Sequence, residues 1–425
     1  MIRWLSMLGL LMTSCGTSDD GPVRKPKPSP ADTGPFFAPN ADCGEGVEPG
    51  THLDLIRWPY MQSVTANSAI VAWGTPLDQR QGYFHYGTNG DYGTIVESLN
   101  TATQGSGGSV FAHHFVQLTD LEPGTEYCYK VHNASSELAG ALRFRTAPDS
   151  EYAPVKFFAF GDMGTATDAQ KAIRDQMLAR HDDIDLWFTT GDNAYSAGTY
   201  QEFQNHVFLQ YQQMWTKIPV YPVPGNHDYA TDNAQPYLDN FFLPENAWRE
   251  ADKERYYSID WGPIHYVGLD SEDPMFQLNG DDDIIDWLDA DLAATDKPWK
   301  IVAWHRPPYE GHPTRAPDAA TWFNVVPLME KHGVQLVLLG HNHFYERMVP
   351  ILENQASTYR DGAVTYVVTG SAGRGLYDIM PWEFQAVGIQ DYNFLVGEVS
   401  YCDLSIEAIN AEGAVLDSFT IPRCF

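Results

Sequence analysis
Five apolar runs in the later part of the chain each break off into a residue that can hold a cation. The run VKFFAF at 155–160 ends at Gly161-Asp162, IDLWFTT at 184–190 at Gly191-Asp192, and PVYPVP at 219–224 at Gly225-Asn226-His227-Asp228. WKIVAW at 299–304 ends at His305, and VQLVLLG at 334–340 runs into His341-Asn342-His343. One strand ending in aspartate is ordinary, because that side chain closes Asx turns and caps helices. Five in succession are not. Carboxylate, amide and imidazole groups in this mixture suit cations such as Fe, Mn and Zn, and the carboxyl ends of strands are where α/β sheets bind ligands.

Amphipathic helices are expected between these strands: one from near Asp168 to Arg180, capped by Thr167 or Asp168, and others near 199–216, 282–293 and 318–332. Further strand patterns at RYYSIDWG, IHYVGLD, AVTYVVTG, NFLVGEVSY, DLSIEAIN and VLDSFTI read as a second, more antiparallel group. Together they predict a layered α/β domain. Ahead of it, from Ile56 to about Thr146, short alternating strands (SAIVAWGT, GYFHYGT, HHFVQLTDL, TEYCYKVHN, ALRFRTA) follow one another without helical periodicity, the pattern of a small β-sandwich. At 425 residues, with 43% hydrophobic and 13% aromatic content, the chain has material for more than one core.

The N-terminus, MIRWLSMLGLLMTSCG, carries one arginine, an apolar run too short to span a bilayer, and small residues before Cys15. It resembles a bacterial lipoprotein signal, which implies cleavage before Cys15 and a lipid anchor on its thiol at the cell envelope; an ordinary secretory signal with an incidental cysteine is the alternative. Residues 16–36 are rich in Pro, Gly, Ser and charge and read as a spacer, with the linker taken to residue 50. The remaining cysteines, Cys43, Cys128, Cys402 and Cys424, are even in number, which in an exported chain predicts two disulfides. Three pairings are possible; Cys43 with Cys128 and Cys402 with Cys424 would each staple one region. A formal charge of -30 repels polyanions and argues against a nucleic-acid partner. A phosphorylated substrate would therefore need local positive charge, and metal ions are its obvious source.

In LTDLEPGTEYCYKV the chain resembles fibronectin type III domains, where such a run carries a tyrosine corner, here Tyr127. The strand-end set resembles the calcineurin-like metallophosphoesterase signature. It stands as GDMG at 161–164, GDNAY at 191–195, GNHD at 225–228, AWHRPPY at 303–309 and GHNHFYER at 340–347. The tyrosine, HRPPY and HFYER narrow the likeness to the purple acid phosphatases. That resemblance implies a fibronectin-like domain over 51–148 and a four-layer αββα catalytic domain over 149–425. It also implies two metal ions. Asp162, Tyr195 and His343 would hold Fe(III); Asn226, His305 and His341 would hold a divalent Fe, Zn or Mn; Asp192 would bridge them.

Physical chemistry agrees with these roles. A bridging carboxylate holds cations at the ~3.5–4 Å separation suited to in-line phosphoryl displacement, a phenolate matches a ferric ion, and only direct metal contact would keep a tyrosine of pKa about 10 ionised. His227, beside a ligand, and His312, seven residues after His305, are expected to bind phosphate or protonate the leaving group. Arg306 and Arg374 could grip phosphate, although a structural ion pair is the default for each, and the Gly-rich loop 370–375 could bring backbone to the site. His113 and His114 are expected at a surface or an interface. The activity implied is an exported acid phosphatase acting on phosphomonoesters. Phosphodiester hydrolysis on the same core, or a dead cell-surface binding protein, are the alternatives, and the dead-protein reading is disfavoured because all seven ligand positions are filled.

Overall fold
A computed structural model describes residues 36–38, 40–273, 276–277 and 282–424. Cys15 and residues 16–35 lie outside them. The sandwich consists of two four-stranded antiparallel sheets. One runs in the order Arg57–Gln62, Ala69–Pro76, Val110–Leu118, Leu99–Gln104; the other Thr94–Glu97, Gly82–Gly87, Glu126–Asn133, Glu137–Arg145. Trp73 of the first sheet stacks on Phe84 of the second, which stacks on Tyr129, so the aromatic content closes the core between them. The Tyr127 hydroxyl accepts from the Glu122 amide at 2.9 Å, forming the corner that fixes entry into its strand.

Cys43 is bonded to Cys128, and Cys402 to Cys424. The first bond has a consequence for residues 40–50, which were expected to lie in the linker. Ala41 donates to Glu126 and Val47 to Glu137, so this stretch is pinned to the sandwich.

The second domain is built on two mixed sheets. The six-stranded sheet has the order Val220–Tyr221, Leu186–Thr189, Val155–Phe160, Asn393–Val399, Asp403–Asn410, Val415–Pro422; the seven-stranded one Tyr257–Trp261, Ile264–Gly268, Trp299–Trp304, Leu336–Leu339, Thr365–Thr369, Tyr345–Met348, Gln385–Ile389. The division differs from the expected parallel and antiparallel groups. Strands leading to Asp162, Asp192 and Asn226 share one sheet, those leading to His305 and His341 the other, and each sheet carries antiparallel strands at an edge. Alternation explains the stacking: Ile301, Ala303, Leu336 and Leu338 face the opposing sheet, while Val302, Trp304, Val337 and Leu339 pack outward with Trp287, Leu292 and Met329. Phe188 and Tyr266 meet across the sheets at 3.9 Å between ring centroids. Helices cover both outer faces, completing the four-layer αββα arrangement, and every ligand-bearing strand opens at one end of the sheet pair.

Thr167 caps the helix Asp168–Leu178 by accepting from the Gln170 amide. The helix expected near 199–216 runs from Tyr200 to Trp215 with a π-helical middle over Phe203–Phe208. The one near 318–332 is divided at Val325 into Ala319–Asn324 and Val326–Lys331, because Pro327 has no N–H to continue the ladder.

The two domains share a buried seam. Arg57 donates to Gln204 and Asn240 and lies 3.6 Å over the Phe208 ring, with burial pulling its pKa down to about 10. Tyr129 and Tyr221 each reach a carbonyl of the other domain. His113 is fully buried here, bonded to Tyr60, whereas His114 lies inside the sandwich stacked on Trp73; neither is a surface residue.

Candidate metal centre
The strand ends converge because their backbones turn sharply. Asp162, Asp192 and His341 have positive φ (55°, 50° and 68°), a region that side-chained residues occupy at a cost and that turns the chain back over the sheet edge. Gly191, at φ 89°, passes so close to His305 that a Cβ would lie 2.6 Å from the imidazole. Gly225 is tighter still, 2.2 Å from the Asp192 amide by the same measure. Two loops from neighbouring strands are thereby brought into contact.

All seven predicted ligand side chains are together, and their donor atoms fall into two sets on either side of Asp192. In the first, the Tyr195 hydroxyl lies 2.7 Å from Asp162 Oδ1, 2.8 Å from Asp192 Oδ2 and 3.3 Å from His343 Nε2. In the second, His305 Nε2 lies 3.4 Å from Asp192 Oδ1, 3.3 Å from Asn226 Oδ1 and 3.2 Å from His341 Nδ1. Asp162, Asp192 and His305 offer ligand atoms within 4.8 Å of one another. Each set therefore has one oxygen of Asp192.

The histidines are oriented for coordination. His305 Nδ1 is 2.8 Å from the Thr190 carbonyl and His343 Nδ1 is 2.7 Å from that of Gly375. A carbonyl can only accept, so these ring nitrogens carry hydrogen and a neutral ring has its lone pair on Nε2, facing the centre. Burial acts with charge to set the cluster's protons. Burial would raise the Asp192 carboxyl, but His305 and His227 hold it well below the usual range. Burial would lower His305, yet Asp192 and Asp162 lift it to about 10. Burial and the two carboxylates push the Tyr195 phenol far above its ordinary value, while burial and then His305 hold His341 down. Protons on Tyr195 and His305 thus occupy places from which cations would displace them, as expected of a centre whose loading releases protons. The donor set, its tautomers and its division fit two cations.

His227 stands beside this centre. Its Nδ1 is 2.6 Å from the Ser196 carbonyl, its Nε2 3.9 Å from Asp192 Oδ2, and its backbone N–H donates to Asp192. His312 is set further out, its ring 5.4 Å from that of Tyr377, which in turn stacks on His343 at 3.9 Å. His312 Nδ1 accepts from the Thr314 and Arg315 amides, so the neutral ring carries its proton on Nε2. Arg306 is committed to Glu272, with Nε at 2.8 and 2.9 Å from its two oxygens. Arg374 has no such carboxylate partner among the described residues.

Sequence reasoning passed over Asp228, Asn193 and Tyr377. Asp228 is fully buried and accepts from the amides of Asn193, Ala194 and Gly225 and from the Asn193 side chain. Burial and the nearby Asp192 push it up to about 7. Its place in GNHD was the available signal, but nothing in that motif says the carboxylate turns inward to tie two loops.

Residues 155–345 match the family described as calcineurin-like phosphoesterase, and 59–146 the purple acid phosphatase N-terminal domain. Acid phosphatase type 7 of Danio rerio is 26% identical, over 90% of this chain and 93% of the relative. A protein of Arabidopsis thaliana named probable inactive purple acid phosphatase 1 is 22% identical over 91% of this chain and 70% of its own length. Among solved structures, purple acid phosphatase PPD1 from yellow lupin (Lupinus luteus) superposes with a TM-score of 0.73 at 20% identity, covering 86% of this chain and 74% of that one.

Proposed function
We propose that this chain, which belongs to the purple acid phosphatase family and has the fold of a metal-dependent phosphoesterase, hydrolyses phosphomonoesters at the centre around Asp192. The observation that carries the reading is the division of seven side chains into two donor sets sharing the oxygens of one buried carboxylate. Asp162, Tyr195 and His343 would hold Fe(III), and Asn226, His305 and His341 a divalent Fe, Zn or Mn. When bound, such a pair supplies Lewis acidity toward phosphate and makes water nucleophilic below neutral pH. The phenol oxygen of Tyr195 favours the trivalent ion; Asn226 adds an oxygen without charge.

The remaining steps belong to the chain. His227, tethered through Nδ1 to Ser196, keeps Nε2 at the half-exposed mouth, where it can hold a phosphate oxygen or give a proton to the leaving group. His312 offers an N–H from the rim. Thr190 and Gly375 fix the imidazoles so that no reorientation is needed at loading.

Asp192→Asn tests the assignment. It leaves the volume unchanged and removes the charge common to both sets, so turnover of 4-nitrophenyl phosphate falls to near background. Retained turnover in metal-replete variant sinks the reading. Rates on bis(4-nitrophenyl) phosphate decide against or for a diesterase. Elemental analysis with a visible spectrum reads the metals; a colourless, iron-free, fully active protein overturns the ferric assignment.

Two disulfides indicate an exported protein, and no helix among the described residues is long and apolar enough to cross a membrane. The apolar N-terminal run ending at Cys15 supports a lipid anchor there, in the bacterial cell envelope. Cys15→Ser would then move the protein from the membrane fraction to the soluble one, and unchanged fractionation would reject the anchor.

A further inference from the structure
Three arginines lie around the centre, and their commitments differ. Arg306 is paired with Glu272. Arg315 donates to the His341 carbonyl, the Asn342 side chain and the Tyr377 hydroxyl. Arg374 is exposed, and among the described residues its guanidinium has no hydrogen-bonding or ion-pair partner; its carbon stands 5.1 Å from the centroid of the Tyr195 ring. It stays unpaired in a chain of formal charge -30, where carboxylates are abundant.

Its backbone, by contrast, is held on every side. The Arg374 amide donates to the Asp162 carbonyl at 3.1 Å, the Gly375 carbonyl accepts from His343, and the Gly373 carbonyl accepts from Thr165 and Thr167. The loop that orients one imidazole of the centre thus also delivers a free guanidinium onto the ring of Tyr195, whose oxygen sits between Asp162 and Asp192. A fixed stem, a free five-donor fork and a position at the mouth are what recognition of a phosphate dianion requires.

We propose that Arg374 is a substrate-binding residue that grips the non-bridging oxygens of the phosphoryl group at the Tyr195 side of the centre. This deepens the phosphatase reading and rests on it. The guanidinium keeps its protons throughout; it orients the phosphate and offsets its charge, and no bond is made or broken at it. Because the contact exists with bound substrate and with bound product alike, it acts mainly on affinity.

The test uses full-length, metal-loaded protein as wild type, Arg374→Ala and Arg374→Lys. Inorganic phosphate binding is measured by calorimetry, alongside kinetics on 4-nitrophenyl phosphate and metal content. The expected result is phosphate binding roughly tenfold weaker in Arg374→Ala, the worth of one charge-assisted contact. KM should rise by a similar factor, kcat should stay within about threefold, and both metals should be retained. Arg374→Lys recovers part of the affinity, as a point charge without the fork. Unchanged phosphate affinity in Arg374→Ala overturns the proposal, and so does weaker binding that tracks metal loss, which would mark a structural ring contact. A wild type that binds phosphate through Arg374 but hydrolyses nothing refutes the phosphatase reading alone. A wild type that binds no phosphate refutes both.

Discussion

Asp228→Asn is the most informative perturbation of the scaffold, since it alters no proposed ligand. The wild-type carboxylate takes amides on both oxygens: Asn193 and Ala194 at 3.1 and 3.2 Å on Oδ1, and Asn193 and Gly225 at 3.0 and 2.9 Å, with Asn193 Nδ2 at 2.9 Å, on Oδ2. Whichever way the new amide is turned, its NH2 faces at least two N–H donors. In the better orientation, with the NH2 in place of Oδ1, the Asn193 amide keeps its second acceptor and the Ala194 amide loses its own. Removing a charge that burial and Asp192 disfavour offsets part of this, so the expected cost is about 1–2 kcal/mol, or roughly 2–8 °C in the melting temperature of a domain of this size. The tied loops carry Asp192 and Asn226 as immediate neighbours of Asn193 and Gly225, so a second effect is expected: metal affinity weaker by about 10–100-fold. Differential scanning calorimetry with metal titration at pH 8, where the wild-type carboxyl is ionised, reads both. If the variant melts within 2 °C of wild type (~1 kcal/mol or less) and retains both metals with unchanged affinity, Asp228 does not position the centre.

On the ferric assignment proposed above, Tyr195→Phe should fold but lose the visible absorption and iron content that assignment requires; an unchanged spectrum would remove the tyrosine from the ligand set. Gly225→Ala places a Cβ 2.2 Å from the Asp192 amide, so the loops must separate, and turnover should drop by about 100-fold with the fold intact by circular dichroism. His265 provides a pH test remote from the metals. Although burial opposes its charge, bonds of 2.8 Å to Asp260 and Asp291 raise it to about 8, with Lys297 at 4.0 Å from Asp260 as the nearby cation. The folded value lies above the unfolded 6.5, so this stabilisation is full below pH 6.5 and is lost as pH rises through 8, amounting to ~2 kcal/mol. Urea denaturation from pH 6 to 9 should show that loss in wild type and not in His265→Gln; parallel curves would refute it.

The residues at the centre were legible because their chemistry restricts residue type at each strand end, and a strand followed by a turn is a local pattern. GDNAY made both Asp192 and Tyr195 readable from five consecutive positions, and the continuous apolar runs before such motifs marked the strands as buried on both faces. Helix caps such as Thr167 are equally local. Pairing is not. That strands leading to Asp192 and His305 belong to different sheets, that residues 40–50 are bound to the sandwich rather than free, and that His113 lies in a seam all depend on contacts between positions far apart in the chain. The same distinction separates the arginines. Arg306 and Arg374 were equivalent on paper, and Glu272, 34 positions from Arg306, neutralises one and leaves the other free. Residue type and spacing alone thus determined which groups could hold a cation. How they divide around Asp192 was implied by the family resemblance; only the tertiary structure decided what holds them in place and which charge remains for a ligand, because burial and unpaired charge are properties of the packed chain.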